Sequence, residues 1–202
     1  MRRYRSLISR SSPFKPWCIV SMSRRPFNLI VTHEPGYENF LLAKQQVLDI
    51  LGEASIIDTA QSIMLLRVDD PYKAAKMIAE GIPESTPILR AVPVDEVVEP
   101  TTRKVGETVG RLAEERIPPT STFRIKLDGY LYRDMGGVWQ RLHKQEAIEE
   151  IARHVDRPVN LSKPDWLIYI KVVRMHGGWE YAAIMVAPPS SIFSRFGGGS
   201  RG

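Results

Sequence analysis

The stretch Val159-Asn160-Leu161-Ser162-Lys163-Pro164-Asp165-Trp166-Leu167-Ile168-Tyr169-Ile170-Lys171-Val172-Val173 decides how the second half of the chain folds. A polar turn closed by Lys163-Pro164-Asp165 runs into a nearly unbroken apolar, β-branched and aromatic segment, the pattern of a strand buried on both faces. Pro164 has no amide donor and biases Lys163 towards an extended conformation, so it fixes where the hydrogen-bonded ladder begins. The segment therefore reads as a central strand, and the rest of the chain is read outward from it.

Towards the N-terminus, Thr120 to Asp128 alternates: Phe123, Ile125 and Leu127 point one way, Arg124, Lys126 and Asp128 the other. Between the two strands lie a loop from Gly129 to Gln140, carrying Tyr130, Tyr132, Arg133 and Trp139, and a helix with the apolar stripe Ile148, Ile151, Ala152 and Val155. Ahead of them Pro100-Thr101-Thr102 caps a helix with the stripe Val105, Val109, Leu112 and Ala113, stopped by Pro118-Pro119. Towards the C-terminus, Met175-His176-Gly177-Gly178 turns the central strand into a last one, Trp179 to Ala187, as a hairpin.

The N-terminal half has its own order. Phe27 to Thr32 is a short strand, and Glu34-Pro35-Gly36-Tyr37 leads into a helix with Phe40, Val47, Leu48 and Leu51 on one face and Gly52 as its stop. Strands follow at Ala54 to Asp58 and Ile63 to Val68. Asp69-Asp70-Pro71 starts a second helix with the small-residue face Ala74, Ala75, Ile78 and Ala79. Ile88 to Val98 is extended but interrupted by Pro93, hence bent or at a sheet edge. Strand, helix, strand, strand, helix, strand is the order of a ferredoxin-like α+β sandwich. The expected architecture is thus α+β, with a basic disordered tail over residues 1–26, a ferredoxin-like domain over 27–99, a second α/β domain over 100–188 and a flexible tail over 189–202.

Charge divides the chain further. Residues 1–26 hold seven basic and no acidic side chains; residues 27–100 hold 5 basic against 12 acidic, and residues 101–188 hold 14 against 11. A polyanion would therefore meet the C-terminal half and the tail. The tail also has the composition of an organellar transit peptide, and a reading frame starting at Met22 is an alternative account of it. The one cysteine, Cys18, lies in this tail, so the body can build neither a disulfide nor a cysteine nucleophile, and a reducing, cytoplasmic setting is expected. No apolar run reaches the roughly 20 residues of a membrane span. The histidines His33, His143, His154 and His176 show no metal-ligand spacing, and the paired glycines lack the phosphate-cradle pattern that opens a helix. No metal, cofactor or catalytic constellation is expected. What remains is a set of cations interleaved with aromatic residues: Arg124, Lys126, Arg133, Arg141 and Lys144 around Tyr130, Tyr132 and Trp139. Read alone, these residues equally describe aromatics capping a core and cations solubilising it.

The Asn160-Leu161-Ser162-Lys163-Pro164-Asp165 turn with its Ile/Val-rich strand is similar to the hallmark of the THUMP domain, an RNA-binding module of tRNA-modifying enzymes. Two further pieces match in the same order: Phe123-Arg124-Ile125-Lys126, and the helix entered at Arg141 and Lys144. The resemblance covers roughly residues 100–188, with the preceding unit in the place of the ferredoxin-like domain that accompanies THUMP. It implies a tRNA partner held near the acceptor end, with Arg124, Lys126, Arg133, Arg141, Lys144 and Lys163 as RNA contacts. Because the sequence ends at Gly202, the chain most resembles the standalone type: a non-catalytic adaptor, without cofactor or membrane, that presents tRNA to a separate RNA acetyltransferase modifying a cytidine. The alternative from another class is a ferredoxin-like regulatory or scaffold protein that binds a small ligand or a protein partner and no RNA.

If the central strand is buried on both faces, Ile168→Asp places an unpaired charge in the core and destabilises the protein by several kcal/mol, on the order of 3 or more. Chemical denaturation checks this, and an equally stable variant would remove the strand from the centre of the fold.

Overall fold

The computed structural model describes residues 27–195; the expectations for residues 1–26 and 196–202 lie outside the described residues. The first sheet is built from four strands, β1 (Leu29–His33), β2 (Ser55–Ala60), β3 (Ile63–Arg67) and β4 (Ile88–Pro93), paired antiparallel in the order β4-β1-β3-β2. Gly36, at φ 117°, turns the chain from β1 into α1 (Tyr37–Leu51), and Gly52 ends that helix at φ 65°. The second helix, α2 (Pro71–Gly81), starts as the sequence predicts: Pro71 is its first residue, and the Asp70 carboxylate accepts from the amides of Tyr72 at 2.9 Å and Lys73 at 3.0 Å. Both helices cover one face of the sheet, where Ala43, Val47, Ala74 and Ile78 pack on Leu29, Val31, Met64 and Leu66. Of the expected α1 face, Leu48 is only half-buried and lies outside this cluster.

The remaining elements are β5 (Glu96–Val98), α3 (Thr102–Arg116), β6 (Phe123–Asp128), the hairpin β7 (Tyr132–Asp134) and β8 (Trp139–Arg141), α4 (Lys144–Ala152), β9 (Trp166–Arg174) and β10 (Glu180–Ala187). They form a second sheet in the order β5-β10-β9-β6, with β9 antiparallel to β10 and parallel to β6, while β7 and β8 pair only with each other. The expected central strand is therefore interior, and Ile168 and Ile170 are fully buried. One face of the second sheet packs under α3 and α4 through Phe123, Ile125, Ile168, Ile184, Val109 and Ile151. Its other face meets the uncovered face of the first sheet, with Tyr169, Val173, Ala183 and Met185 against Phe27, Ile30, Leu65 and Val92. The layers run helix, sheet, sheet, helix.

The expected boundary near residue 99 does not match how the chain is shared between the sheets. Pro93 ends β4, and three residues on, β5 already pairs with β10 of the second sheet. The expected flexible tail is ordered as far as Arg195. Pro189 opens a single 3-10 turn, Pro189–Ser191, and β11 (Phe193–Ser194) then adds to the outer edge of β4. Two prolines end β10 without ending order, because the Phe193 ring packs into the helix-side core of the first sheet. The Arg195 guanidinium holds the end of this return, donating to Glu34 at 3.0 Å and to the Thr86 carbonyl at 2.5 Å.

Asp95 sits in the crossover between the sheets, 5% exposed. Its carboxylate accepts from the Tyr72 hydroxyl at 2.9 and 3.0 Å and from the Val186 amide at 2.7 Å, and it pairs with Arg116 at 2.8 Å. One side chain thereby ties α2, α3 and β10 together. Asp95→Ala would leave the Arg116 charge and the Val186 amide without their acceptor, at a cost of about 3–5 kcal/mol. Urea unfolding should read that loss, with Asp95→Asn falling between the two because it retains a carbonyl acceptor.

Candidate nucleic-acid interface

On β6 the period-two alternation is realised: Phe123, Ile125 and Leu127 are buried, Arg124 and Lys126 exposed. As β6 is an edge strand, its cations stand on a sheet face that one strand further in, at Tyr169, is already covered by the first sheet. The Lys126 ammonium lies 5.5 Å from the centroid of the Tyr169 ring. Partial burial lowers the pKa of Lys126, Arg90 on β4 lowers it further, Asp128 opposes the shift, and Arg124 and Lys144 add to it. Four cations from β4, β6 and α4 thus converge on a single patch. The nearby carboxylate is already engaged, since Asp128 accepts from Lys171 at 2.5 Å and from the Tyr169 hydroxyl at 3.2 Å. Burial works against the Asp128 anion, but the Lys171 hydrogen bond and charge hold its pKa below the ordinary value. Burial, followed by the Asp128 charge, pushes the Tyr169 hydroxyl up, so it stays protonated as a donor.

The turn before β9 is fixed to the start of β6. The Asn160 side chain accepts from the amides of Ser162 at 3.1 Å and Lys163 at 3.0 Å, closing the turn locally. Asp165 accepts from the Thr122 amide at 2.8 Å and hydroxyl at 2.7 Å, and Arg124 donates to the Leu161 carbonyl at 3.0 Å. These bonds align the parallel β6–β9 pair and present Lys163, exposed, at the end of β6 where that strand begins.

Two candidate residues stand elsewhere than the sequence suggests. Arg133 is not part of the open patch: its guanidinium is bound by Glu146 at 2.7 Å and by Glu150, both on α4. Those hydrogen bonds, Glu150 first, raise the Arg133 pKa and engage its charge inside the protein. Arg141 does not start a helix with Lys144; it is the last residue of β8, and its guanidinium carbon lies 3.2 Å from the centroid of the Tyr130 ring. The structure therefore brings together Arg124, Lys126 and Lys144, places Lys163 at one end and Arg141 on the neighbouring hairpin, and removes Arg133. It adds Arg90, Tyr169 and Lys171. A charge within the otherwise apolar Ile88–Val92 run is the available signal for Arg90, but only the stacking of the sheets shows where it points.

No family model matches this chain, and no curated protein matches it in sequence. Among solved structures, PH1313 from Pyrococcus horikoshii Ot3 matches with a TM-score of 0.53 and 16% identity, over 79% of this chain and 54% of its own. The fold is similar to that of PH1313. A 4-thiouridine synthetase solved as an RNA complex with bound ATP gives 0.49 at 10% identity, over 80% of this chain and 42% of its own. TrmN from Thermus thermophilus gives 0.46 at 15% identity, over 79% and 46%. This chain spans about half the length of each. Among the described residues, no group of three or more His, Cys, Asp or Glu could hold a metal ion, and no helix is long and apolar enough to cross a membrane.

The Thr122–Asp165 clamp is open to a titration test. Hydrogen bonds from the Thr122 amide and then its hydroxyl lower the Asp165 carboxyl below its ordinary 3.8. A depressed carboxylate adds stability above that ordinary value and loses it as pH falls through the lowered one. In Thr122→Val, which keeps the amide and removes the hydroxyl, the Asp165 titration followed by NMR should move back towards 3.8 and acid unfolding should set in at higher pH.

Proposed function

We propose that this protein is a non-catalytic tRNA-binding protein of THUMP type that presents tRNA to a modifying enzyme supplied in trans. The observation that carries the reading is the exposed pair Arg124 and Lys126 on the edge strand β6, with the Lys126 ammonium 5.5 Å from the Tyr169 ring centroid and the adjacent Asp128 already held by Lys171; Arg90 and Lys144 add positive charge that Asp128 offsets only in part. Such a surplus is relieved by a polyanion, because phosphates neutralise the cations and release counterions. The turn-and-strand signature over residues 160–173 supports the family reading. For residues 27–93, the order β4-β1-β3-β2 with two helices on one face supports the ferredoxin-like reading.

The division of labour follows from charge. The first unit carries an acidic excess that disfavours RNA and leaves its outer surface to a protein partner, for which the proposed candidate is an RNA acetyltransferase acting on a cytidine. Arg124 braces the 160–163 turn, so the cleaner functional variant pairs Lys126→Ala with Lys144→Ala, both exposed. In a salt series with unmodified tRNA, this variant should bind more weakly, and the slope of log affinity against log salt should fall by about one for each phosphate that is no longer neutralised. Lys73→Ala with Lys76→Ala on α2 is the control and should bind as the parent does. Equal losses in both variants, or none in either, would overturn the placing of the RNA face around Lys126, and a parent that binds no tRNA would return the protein to a scaffold role without RNA. The adaptor role predicts no acetylated cytidine from the protein with tRNA and acetyl-CoA alone.

A further inference from the structure

Between the end of the first sheet and the β9–β10 hairpin lies an open cleft of about 1160 Å³, bounded by the β1–α1 loop, the β2–β3 turn and the end of β9. One wall is a run of three rings. His33 and Phe40 have centroids 5.7 Å apart, Phe40 and Tyr37 6.4 Å, and the run passes from buried His33 to Tyr37, which is 71% exposed at the lip. Val173 and Met175 at the end of β9 line the other side, and the exposed amide of Gln61 stands at the rim. That side is pinned across the molecule: the His176 amide donates to Asp58 at 2.7 Å and the His176 imidazole bonds the same carboxylate, holding the hairpin to β2. The β1–α1 loop is held by Asn39, which donates to the Pro35 carbonyl at 2.8 Å.

The cleft opens beside the end of β6. Asp128, the last residue of β6, is in register with Lys171, and the next residue of β9, Val172, already lines the cleft. From Arg124 to Gly129 the strand advances about 17 Å, at about 3.4 Å per residue. Cations along an edge strand that ends at an aromatic-walled opening are the two parts of a single-strand site: a track for the backbone and a platform for a base.

We propose that this cleft receives one unstacked base of single-stranded RNA, led in along β6 and stacked against Tyr37. Planar rings on one wall, apolar side chains on the other side and an amide at the rim suit a nucleobase face and its hydrogen-bonding edge. The open side lets the sugar and phosphate stay in water. The inference rests on the RNA-binding reading, and its test separates the two.

The test uses the full chain and a single-stranded oligoribonucleotide carrying 2-aminopurine, whose fluorescence is quenched on stacking. The parent should quench it. Tyr37→Ala should abolish the quenching and weaken oligonucleotide binding by about fivefold or more, while leaving the affinity for a blunt RNA duplex unchanged. Tyr37→Phe should restore both, and Gln61→Ala should weaken binding of the single strand alone. Tyr37 is exposed at the first turn of α1, so an unchanged melting temperature is expected and separates lost stacking from lost folding. Parent-like affinity and quenching in Tyr37→Ala would overturn the cleft assignment and leave the functional reading standing. Binding of free 2-aminopurine ribonucleotide as tight as that of the oligonucleotide would overturn delivery along β6. A parent protein that binds no RNA of either form would remove the functional reading, and the cleft assignment with it.

Discussion

The two sheets can stack only because a carboxylate can be buried where the chain passes from one to the other. Asp95 follows β4 by two residues and precedes β5, so its backbone lies between layers and its side chain enters the interior. A bare carboxylate there would be prohibitive, but it meets one cation, one hydroxyl and one amide drawn from α3, α2 and β10. Arg116 extends the lock by donating to the Val186 carbonyl at 3.2 Å. The arrangement fixes the relative position of the sheets, and both the cation patch and the cleft depend on that position. Arg90 acts on Lys126 from β4 of the first sheet, and the cleft has one wall from each.

Local signals in the sequence are strong where local physics decides. Asp70-Pro71 and Thr101 start helices because an oxygen acceptor at the cap and a fixed φ at the first turn are properties of neighbouring residues. Phe123 to Asp128 alternates because its two faces meet different environments, and the run through Ile168 and Ile170 is apolar because both faces of β9 are covered. Strands of two or three residues carry no period, so the membership of β5 in the second sheet and of β11 in the first is invisible in the sequence. Both depend on partners far away in the chain, Ala183 for Val97 and Ala91 for Phe193.

The candidate site is readable to the same depth. The outward direction of Arg124 and Lys126 follows from the strand pattern, because alternation gives the direction of a side chain. The position of Arg133 does not, because charge along a sequence says nothing about which carboxylates a loop will fold onto; the β7–β8 hairpin delivers the arginine to Glu146 and Glu150 of α4. Arg141 reads as a helix residue because the polar run before Lys144 resembles a helix start, whereas its backbone pairs with Tyr132 across the hairpin.

An edge strand with outward cations has a simpler use than RNA binding, because charge on an edge discourages pairing with another chain. That explanation accounts for Arg124 and Lys126 singly but not for their surroundings. A lysine serving solubility is best left among waters and carboxylates, yet burial and Arg90 both work against the charge on Lys126, and its ammonium stands 5.5 Å from the centroid of the Tyr169 ring. Arg90 comes from the other sheet, and Lys144 from the first turn of α4, where the helix dipole disfavours a cation. Edge protection requires none of this convergence. An anion seated among the four side chains would offset the mutual repulsion, the partial loss of water and the unfavourable helix end together, of which Asp128 and the Tyr169 ring relieve only a part.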